Sequence, residues 1–114
     1  MSDCLFCKIV AGEIPAKVVA ESDTSLAFYD IAPEAPVHVL VVPKRHFDGV
    51  NDVTATDCGV FDELIALARE VATAEGVRDS GYRLIFNVGD EGGQTVPHLH
   101  VHVLGGRQMR WPSG

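Results

Sequence analysis

The clearest pattern of polar and apolar positions runs from His98 to Leu104, where histidines alternate with apolar residues. A period of two is typical of a β-strand, whose successive side chains point to opposite faces of a sheet. We therefore predict a strand that carries three imidazoles on one face. The side chains of Leu99, Val101 and Val103 would lie on the other face, where they can enter a core.

The rest of the pattern predicts four more strands and two helices. A short helix is expected to continue from Ile9 and to stop around Gly12. One long amphipathic helix is predicted to end near Gly76, because apolar residues recur at helical spacing before it. The members of that stripe are Phe61, Leu64, Ile65, Ala68, Val71 and Ala72. The further strands are predicted at Val18–Glu21, Leu26–Tyr29, His38–Val42 and Tyr82–Val88. This order predicts an α+β fold with a mainly antiparallel five-stranded sheet.

Length and charge narrow the class of protein. A chain of 114 residues is expected to form a single domain over residues 1–114, large enough to bury one core. The formal net charge of −7 argues against a nucleic-acid-binding surface, which would be basic. The first residues lack the basic start and apolar run of a signal peptide, and no window has transmembrane length. We therefore expect a cytoplasmic protein without a membrane partner.

Three aligned imidazoles suit two kinds of chemistry. Neutral imidazole is the commonest ligand of transition metals, and positions i and i+2 of a strand can share one ion. Alternatively, one imidazole acts as a nucleophile or base while its neighbours fix its tautomer and supply charge. The alternation alone leaves both possibilities open.

The glycine-rich loop from Gly89 to Thr95 opens directly onto the histidine strand. Glycines allow backbone N–H groups to converge on an anion, and Gln94 and Thr95 add polar side chains. The same composition is also found in ordinary hairpin loops. Beside three imidazoles, however, the loop favours a phosphate pocket with a nucleophilic histidine, because phosphoryl transfer needs donors aimed at developing negative charge.

Two of the three cysteines, Cys4 and Cys7, form a C-x-x-C motif at the start of the chain. By itself the motif could be half of a zinc site, a redox pair or two buried small residues. A structural disulfide is not expected in a cytoplasmic protein. Cys58 stands just inside the predicted start of the long helix and is interpreted as a plain cysteine.

The segment from His98 to Leu104 resembles the signature of the histidine-triad (HIT) superfamily. Four other segments resemble its nucleotide-binding Hint branch, and the resemblance runs from Cys4 to the C-terminus. These segments are Glu13–Lys17, Asp30–Pro36, Gly92–Thr95 and Gly105–Pro112.

The resemblance implies a HIT-like fold and a purine nucleoside phosphoramidase that acts on adenosine 5′-phosphoramidate-like substrates. By position, His100 would be the nucleophile, His102 would contact the phosphate or the leaving group, and the backbone of His98 would orient the His100 ring. The remaining family positions would bind the nucleotide. The phosphate would be bound by Asn87, Gly93, Gln94 and Thr95, the last of which is usually serine in the family. The ribose would be bound by Asp30. The base would be surrounded by Leu5, Phe6, Ile9, Phe28, Ile31 and His38.

The resemblance also implies a structural zinc ion held by Cys4, Cys7, His46 and His98, as in those relatives that carry the C-x-x-C motif. A Cys₂His₂ set is closed and leaves no position for a substrate. The family further implies a homodimer, in which the long helix and the strand after it pair across a two-fold axis.

Three other functions stay open. One is a metallohydrolase with catalytic zinc on the triad itself, and another is a nucleotide-binding or interaction module with little activity. Within the superfamily, the nearest alternative is a hydrolase of dinucleoside polyphosphates.

Overall fold

The computed structural model describes residues 3–114, and its elements follow the predicted order. Helix α1 (Leu5–Val10) precedes strands β1 (Val18–Glu21), β2 (Ser25–Tyr29) and β3 (Val37–Pro43). Two single 3₁₀ turns, Val50–Asp52 and Ala55–Asp57, lead into helix α2 (Gly59–Ala74). Strands β4 (Tyr82–Ile85) and β5 (Val101–Gly105) complete the fold.

The five strands form one antiparallel sheet in the order β1-β2-β3-β5-β4, which confirms the predicted α+β class. Strand β3 is buried along its whole length, because it lies between β2 and β5 and is covered on both faces. Strand β5 is the next interior strand, so its side chains are placed by neighbours on both sides. Strand β4 lies at one edge of the sheet.

Helix α2 covers one face of the sheet and supplies much of the main core. The predicted stripe is confirmed in part, since Leu64, Ala68, Val71 and Ala72 are buried. The buried face of the helix is rotated slightly around the helix axis relative to the predicted stripe. Val60 and Leu67 are also buried, whereas Phe61 and Ile65 are only partly buried. Gly76 follows the helix with a φ of 76°, and the N–H of Val77 donates to the carbonyl of Ala72. This is the Schellman type of ending that glycine permits without strain.

The histidine strand is shorter than predicted, since it begins at Val101 rather than at His98. The N–H of His98 donates to the carbonyl of Val96, which bends the chain, and the N–H of Leu99 donates to Phe47 outside the sheet. The alternation of faces nevertheless persists, because Leu99, Val101 and Val103 are all buried in the α2 core.

The same bend shortens β4, which ends at Ile85 and not at Val88 as predicted. Ile85 is paired with His102, the last pair of the β4–β5 ladder. Residues 87 and 88 would lie opposite residues 100 and 99, which precede β5, so no strand continues the ladder there.

Helix α1 covers part of the other face of the sheet. It ends at Val10, and Gly12 follows with a φ of 78°, as expected for a helix that stops there. Phe6 is the buried residue of the helix and packs with Phe28, Leu26 and Leu40 in a second, smaller core. Neither helix in residues 3–114 has the length and apolar composition needed to cross a membrane.

Candidate active site and metal centre

The three histidines of the triad occupy one face but have different partners. His98 and His100 are buried, and His102 is half-buried. The rings of His100 and His102 lie 5.0 Å apart between centroids, and Phe6 meets the His100 ring edge-on at 5.2 Å. The structure therefore brings the predicted histidines together, and their hydrogen bonds then distinguish them.

The tautomer of His100 is set by its own backbone neighbour. Its Nδ1 lies 2.7 Å from the carbonyl oxygen of His98, and a carbonyl can only accept a hydrogen bond. Nδ1 of His100 therefore carries the proton and donates. In the neutral ring, Nε2 is left with the lone pair that a nucleophile requires.

His38 on β3, a histidine outside the triad, sets the tautomer of His102. The backbone N–H of Glu34 donates to Nδ1 of His38 over 3.0 Å, so the proton of neutral His38 is on Nε2. That Nε2–H lies 2.9 Å from Nδ1 of His102 and donates to it. His102 consequently carries its own proton on Nε2, in the position of a donor. Asp30 adds negative charge nearby, with Oδ2 at 3.4 Å from Nε2 of His38.

The surroundings of the triad favour neutral imidazoles. Burial is the main cause that lowers the pKa of His98 and of His100 below the ordinary histidine value. Burial, followed by the neighbouring rings of His100 and His38, lowers the pKa of His102 to about 4. His102 is therefore neutral near pH 7 and can donate only through the nitrogen that carries its single proton.

The first triad histidine belongs to a separate cluster with Cys4, Cys7 and His46. Nδ1 of His98 lies 3.2 Å from Sγ of Cys4, 3.5 Å from Sγ of Cys7 and 3.1 Å from Nδ1 of His46. Nδ1 of His46 lies 3.3 Å from Sγ of Cys7. One ligand atom from each of the four residues falls within 4.8 Å of all the others.

The positions of the ring protons in this cluster are compatible with a bound metal ion. Nε2 of His98 donates to the carbonyl of Pro43 at 2.9 Å, and Nε2 of His46 donates to the carboxylate of Asp48 at 2.7 Å. When each ring carries a single proton, its lone pair is thus on Nδ1, and two lone pairs 3.1 Å apart repel unless a cation lies between them. With zinc about 2.3 Å from sulfur and about 2.0 Å from nitrogen, tetrahedral ligand atoms lie roughly 3.3–3.8 Å apart. The cluster is close to that size, and its donor set is one that zinc prefers.

A cleft of about 940 Å³ lies beside the triad, within the size range of ligand sites. Phe6 and His38 line it and also contact His100 and His102, respectively. All the predicted base and ribose positions line this cleft, together with Thr95. They are Leu5, Phe6, Ile9, Phe28, Asp30, Ile31 and His38. Ile31 is fully exposed and Leu5 is half-exposed, which leaves apolar surface available to a ligand.

The glycine-rich loop differs from the expectation that its backbone N–H groups converge on an anion. The N–H of Gly93 donates to Asp90, and the N–H of Gln94 donates to Gly89. Asn87 is also engaged, since its amide donates to the carbonyl of Gly92 at 2.7 Å. The loop is therefore held by its own hydrogen bonds, and Asn87, Gly93 and Gln94 do not line the cleft.

The side chain of Gln94 is likewise occupied within the chain. Its Nε2 donates to the carbonyls of Asp48 and Val96, and its Oε1 accepts from the N–H of Gly89. Thr95 is the residue of this loop that lines the cleft, and within residues 3–114 its N–H and hydroxyl make no hydrogen bond. The donors that this loop can offer to a ligand in the cleft are therefore those of Thr95.

Sequence reasoning missed three groups that orient the histidines. Two are main-chain groups, the N–H of Glu34 and the carbonyl of Pro43, and no side-chain pattern reveals them. The third is Asp48, two residues after His46, and this spacing was a usable signal. A metal-binding histidine commonly donates its other N–H to a carboxylate.

Comparisons with known proteins agree with this geometry. The family model described as the HIT domain matches residues 11–109. An uncharacterized HIT-like protein of Synechococcus elongatus is 46% identical over 112 residues, which are 98% of this chain and 97% of the relative. A HIT family hydrolase from Legionella pneumophila Philadelphia 1 superposes with a TM-score of 0.95 at 53% identity, over 98% of this chain and 100% of that one. A histidine triad nucleotide-binding protein from Candida albicans superposes with a TM-score of 0.81 at 28% identity, over 89% of this chain and 73% of that one.

Proposed function

Because the chain belongs to the HIT domain family, we propose that it is a hydrolase that cleaves purine nucleoside 5′-phosphoramidates through a nucleotidyl-His100 intermediate. The observation that carries the proposal is the 2.7 Å hydrogen bond from Nδ1 of His100 to the carbonyl of His98. It leaves Nε2 with a lone pair in a buried ring beside a nucleotide-sized cleft. We place the chain in the Hint branch, and the nucleotide-binding neighbour from Candida albicans supports this assignment.

In the first step, Nε2 of His100 attacks the α-phosphorus, the P–Nε2 bond forms and the P–N bond to the leaving amine breaks. The leaving nitrogen takes the Nε2 proton of His102, and the negative charge left on that ring is balanced by the positive charge on the phosphorylated ring of His100. In the second step, water attacks phosphorus and returns a proton to Nε2 of His102, the P–Nε2 bond breaks and the nucleoside monophosphate is released. Two displacements of moderate difficulty replace one hard displacement.

Different residues of the cleft would recognise the ribose, the phosphate and the base of a nucleotide. Asp30 can accept hydrogen bonds from both ribose hydroxyls, and Thr95 can donate to a phosphate oxygen. The apolar walls formed by Phe6, Phe28 and Ile31 suit a purine ring. Such walls select the size of the base far better than they distinguish adenine from guanine.

Zinc is proposed as a structural ion on Cys4, Cys7, His46 and His98. Four protein ligands close the coordination sphere, so the ion supplies no open position for a substrate. In this arrangement the ring of His98 faces the metal, while its carbonyl holds the ring of His100. His98 would thus serve both sites with different atoms.

The proposal is tested by mass spectrometry of protein quenched during turnover of adenosine 5′-phosphoramidate. We expect an adenylyl adduct on His100, and we expect His100→Ala to lower turnover by several orders of magnitude while AMP still binds. The reason is that a nucleophile matters far more to the transition state than to the ground state.

Retention of turnover within about tenfold by His100→Ala would exclude the covalent route. AMP binding without turnover or adduct would favour a binding module instead. Faster cleavage of a dinucleoside polyphosphate than of the phosphoramidate would favour the other hydrolase of the superfamily.

We also propose a homodimer that pairs through β4. This strand lies at the sheet edge, and its residues, including Tyr82 and Leu84, are only partly buried. Pairing would cover an exposed edge that otherwise promotes aggregation. The exposed Trp111 of the C-terminal tail could then reach the partner's cleft. Light scattering should give twice the chain mass at micromolar concentration, and a monomer mass would refute the proposal.

A further inference from the structure

The metal cluster and the nucleotide cleft share a wall. A smaller pocket of about 400 Å³ lies against Cys4, His46 and Asp48, and both this pocket and the cleft are lined by Leu5, Thr95 and Val96. The metal ligands and the proposed ligand-binding residues are thus built on the same short segments of the chain.

Helix α1 is the first physical link between the two sites. Cys4 is its N-cap, with Sγ accepting from the N–H of Cys7, and the intervening Leu5 and Phe6 line the cleft. A helix of six residues has little stability of its own. It is held through Phe6, which packs edge-on against Phe28 and His100, and through the cysteine cluster.

The second link runs through Gln94. Its side-chain amide joins the carbonyl of Asp48, in the segment that carries His46, to Gly89 of the glycine-rich loop and to Val96 just after it. Gly49 lies so close that an added Cβ would be 3.1 Å from Oε1 of Gln94. Movement of the His46 segment therefore displaces the loop that presents Thr95.

We propose that metal occupancy of the Cys4, Cys7, His46 and His98 cluster controls the affinity of the cleft for its nucleotide, so that the metal is a positive effector of binding. This inference rests on the proposed nucleotide function and on zinc as the occupant. When the metal is bound, α1 and the Gln94-linked loops are ordered before the nucleotide arrives. When it is absent, nucleotide binding must itself order them, which lowers the observed affinity.

Thermodynamic linkage makes the effect reciprocal. We expect the dissociation constant of AMP to rise about tenfold when zinc is removed, within the usual range of coupling between sites. Saturating AMP should raise the affinity for zinc by the same factor. Titration calorimetry with AMP on zinc-loaded and chelator-stripped protein measures the first quantity. Competition with a chromophoric chelator, with and without AMP, measures the second.

Variants of the full chain separate this coupling from unfolding of the stripped protein. Asp48→Ala removes a carboxylate that orients His46 but does not line the cleft, and we expect it to weaken zinc binding about 10- to 100-fold. At limiting buffered free zinc this variant should bind AMP weakly, and saturating zinc should restore wild-type affinity. Asp52→Ala, which removes an exposed carboxylate of the same segment, is the matched control and should bind both ligands as the wild type does.

Each result bears on a different proposal. Equal AMP affinity of Asp48→Ala at limiting and at saturating zinc would overturn the coupling while leaving the proposed nucleotide site intact. Failure of the folded, zinc-loaded wild type to bind AMP would instead reject the proposed function, and the coupling with it. Tightening of AMP binding in step with zinc saturation would support both.

Discussion

Two clusters of side chains in this protein have the spacing of a metal site. In the first, Cys4, Cys7, His46 and His98, one atom from each residue lies within 4.8 Å of the others. The second, formed by Asp30, His38 and His102, meets the same criterion. Each cluster contains two histidines whose nearest ring nitrogens are 3.1 Å apart in the first and 2.9 Å apart in the second. Distance alone does not separate them.

The positions of the protons on the histidine rings distinguish the two clusters. In the first cluster, Nε2 of each histidine donates to an outer oxygen, of Pro43 or of Asp48, so both inward nitrogens carry lone pairs. In the second cluster, the N–H of Glu34 donates to Nδ1 of His38, which places the His38 proton on Nε2, directed at His102. A metal on that Nε2 would have to displace this proton and would oppose the Glu34 contact.

The first cluster is therefore arranged to receive a cation, and the second is arranged to hold and pass a proton. The difference comes from the hydrogen-bond partner of each ring's outer nitrogen rather than from the types of residue in the cluster. A histidine backed by an acceptor presents a lone pair, whereas a histidine backed by a donor presents a proton. Three predictions test this contrast.

The largest effect is expected at His102. His102→Ala should lower phosphoramidase turnover by about 10²- to 10⁴-fold, the usual contribution of a general acid, and should make the rate more sensitive to the basicity of the leaving amine. Zinc content should stay at that of the wild type. Steady-state kinetics with a series of amine leaving groups, together with metal analysis, measures both quantities.

His38→Gln is the companion variant, because His38 acts through His102. Its loss in turnover should be smaller, with the same increase in sensitivity to the leaving group. Loss of zinc from either variant would place the ion on the second cluster and refute the assignment from tautomers.

A smaller effect, on stability, is expected in the first cluster. Cys4→Ser should lose zinc and lower the melting temperature by about 5 °C or more, because binding energy at a structural site is folding energy. Metal analysis and thermal unfolding measure the two effects. Cys58→Ser is the matched control, since Cys58 is exposed and lies outside the cluster. Zinc retained in Cys4→Ser but lost in His100→Ala would place the ion on the triad and support a metallohydrolase.

The smallest effect is expected in the pH dependence of stability. Because the pKa of native His102 is lowered to about 4, the unfolded chain binds a proton there at a higher pH than the native chain does. The contribution of His102 is complete above about pH 6.5, declines as the pH falls towards 4 and is lost below that value. His102→Asn should therefore lose less of its free energy of unfolding than the wild type between pH 7 and pH 4.5. Urea unfolding of both proteins with zinc removed measures the difference, and parallel slopes would contradict it.

The sequence by itself was sufficient for the fold class and for which side chains share a face. The alternation from His98 to Val103 places Leu99, Val101 and Val103 in the core even where the strand has not yet begun. The hydrophobic effect drives these apolar side chains into the core, and the local period of two is enough to show which side chains lie on the buried face. The family resemblance then supplied the candidate residues of the cleft and of the metal cluster.

Only the tertiary structure decided which nitrogen of each histidine carries the proton. His38 and His102 are 64 positions apart, and the Pro43 carbonyl behind the His98 ring is 55 positions away in the chain. The late start of β5 also depends on the hydrogen bond from the N–H of Leu99 to the carbonyl of Phe47, which no local pattern encodes. The hydrogen bonds that engage Gln94 likewise join loops distant in the chain. Hydrogen-bond partners of this kind exist only after the chain has folded, and the chemistry of an imidazole depends on them.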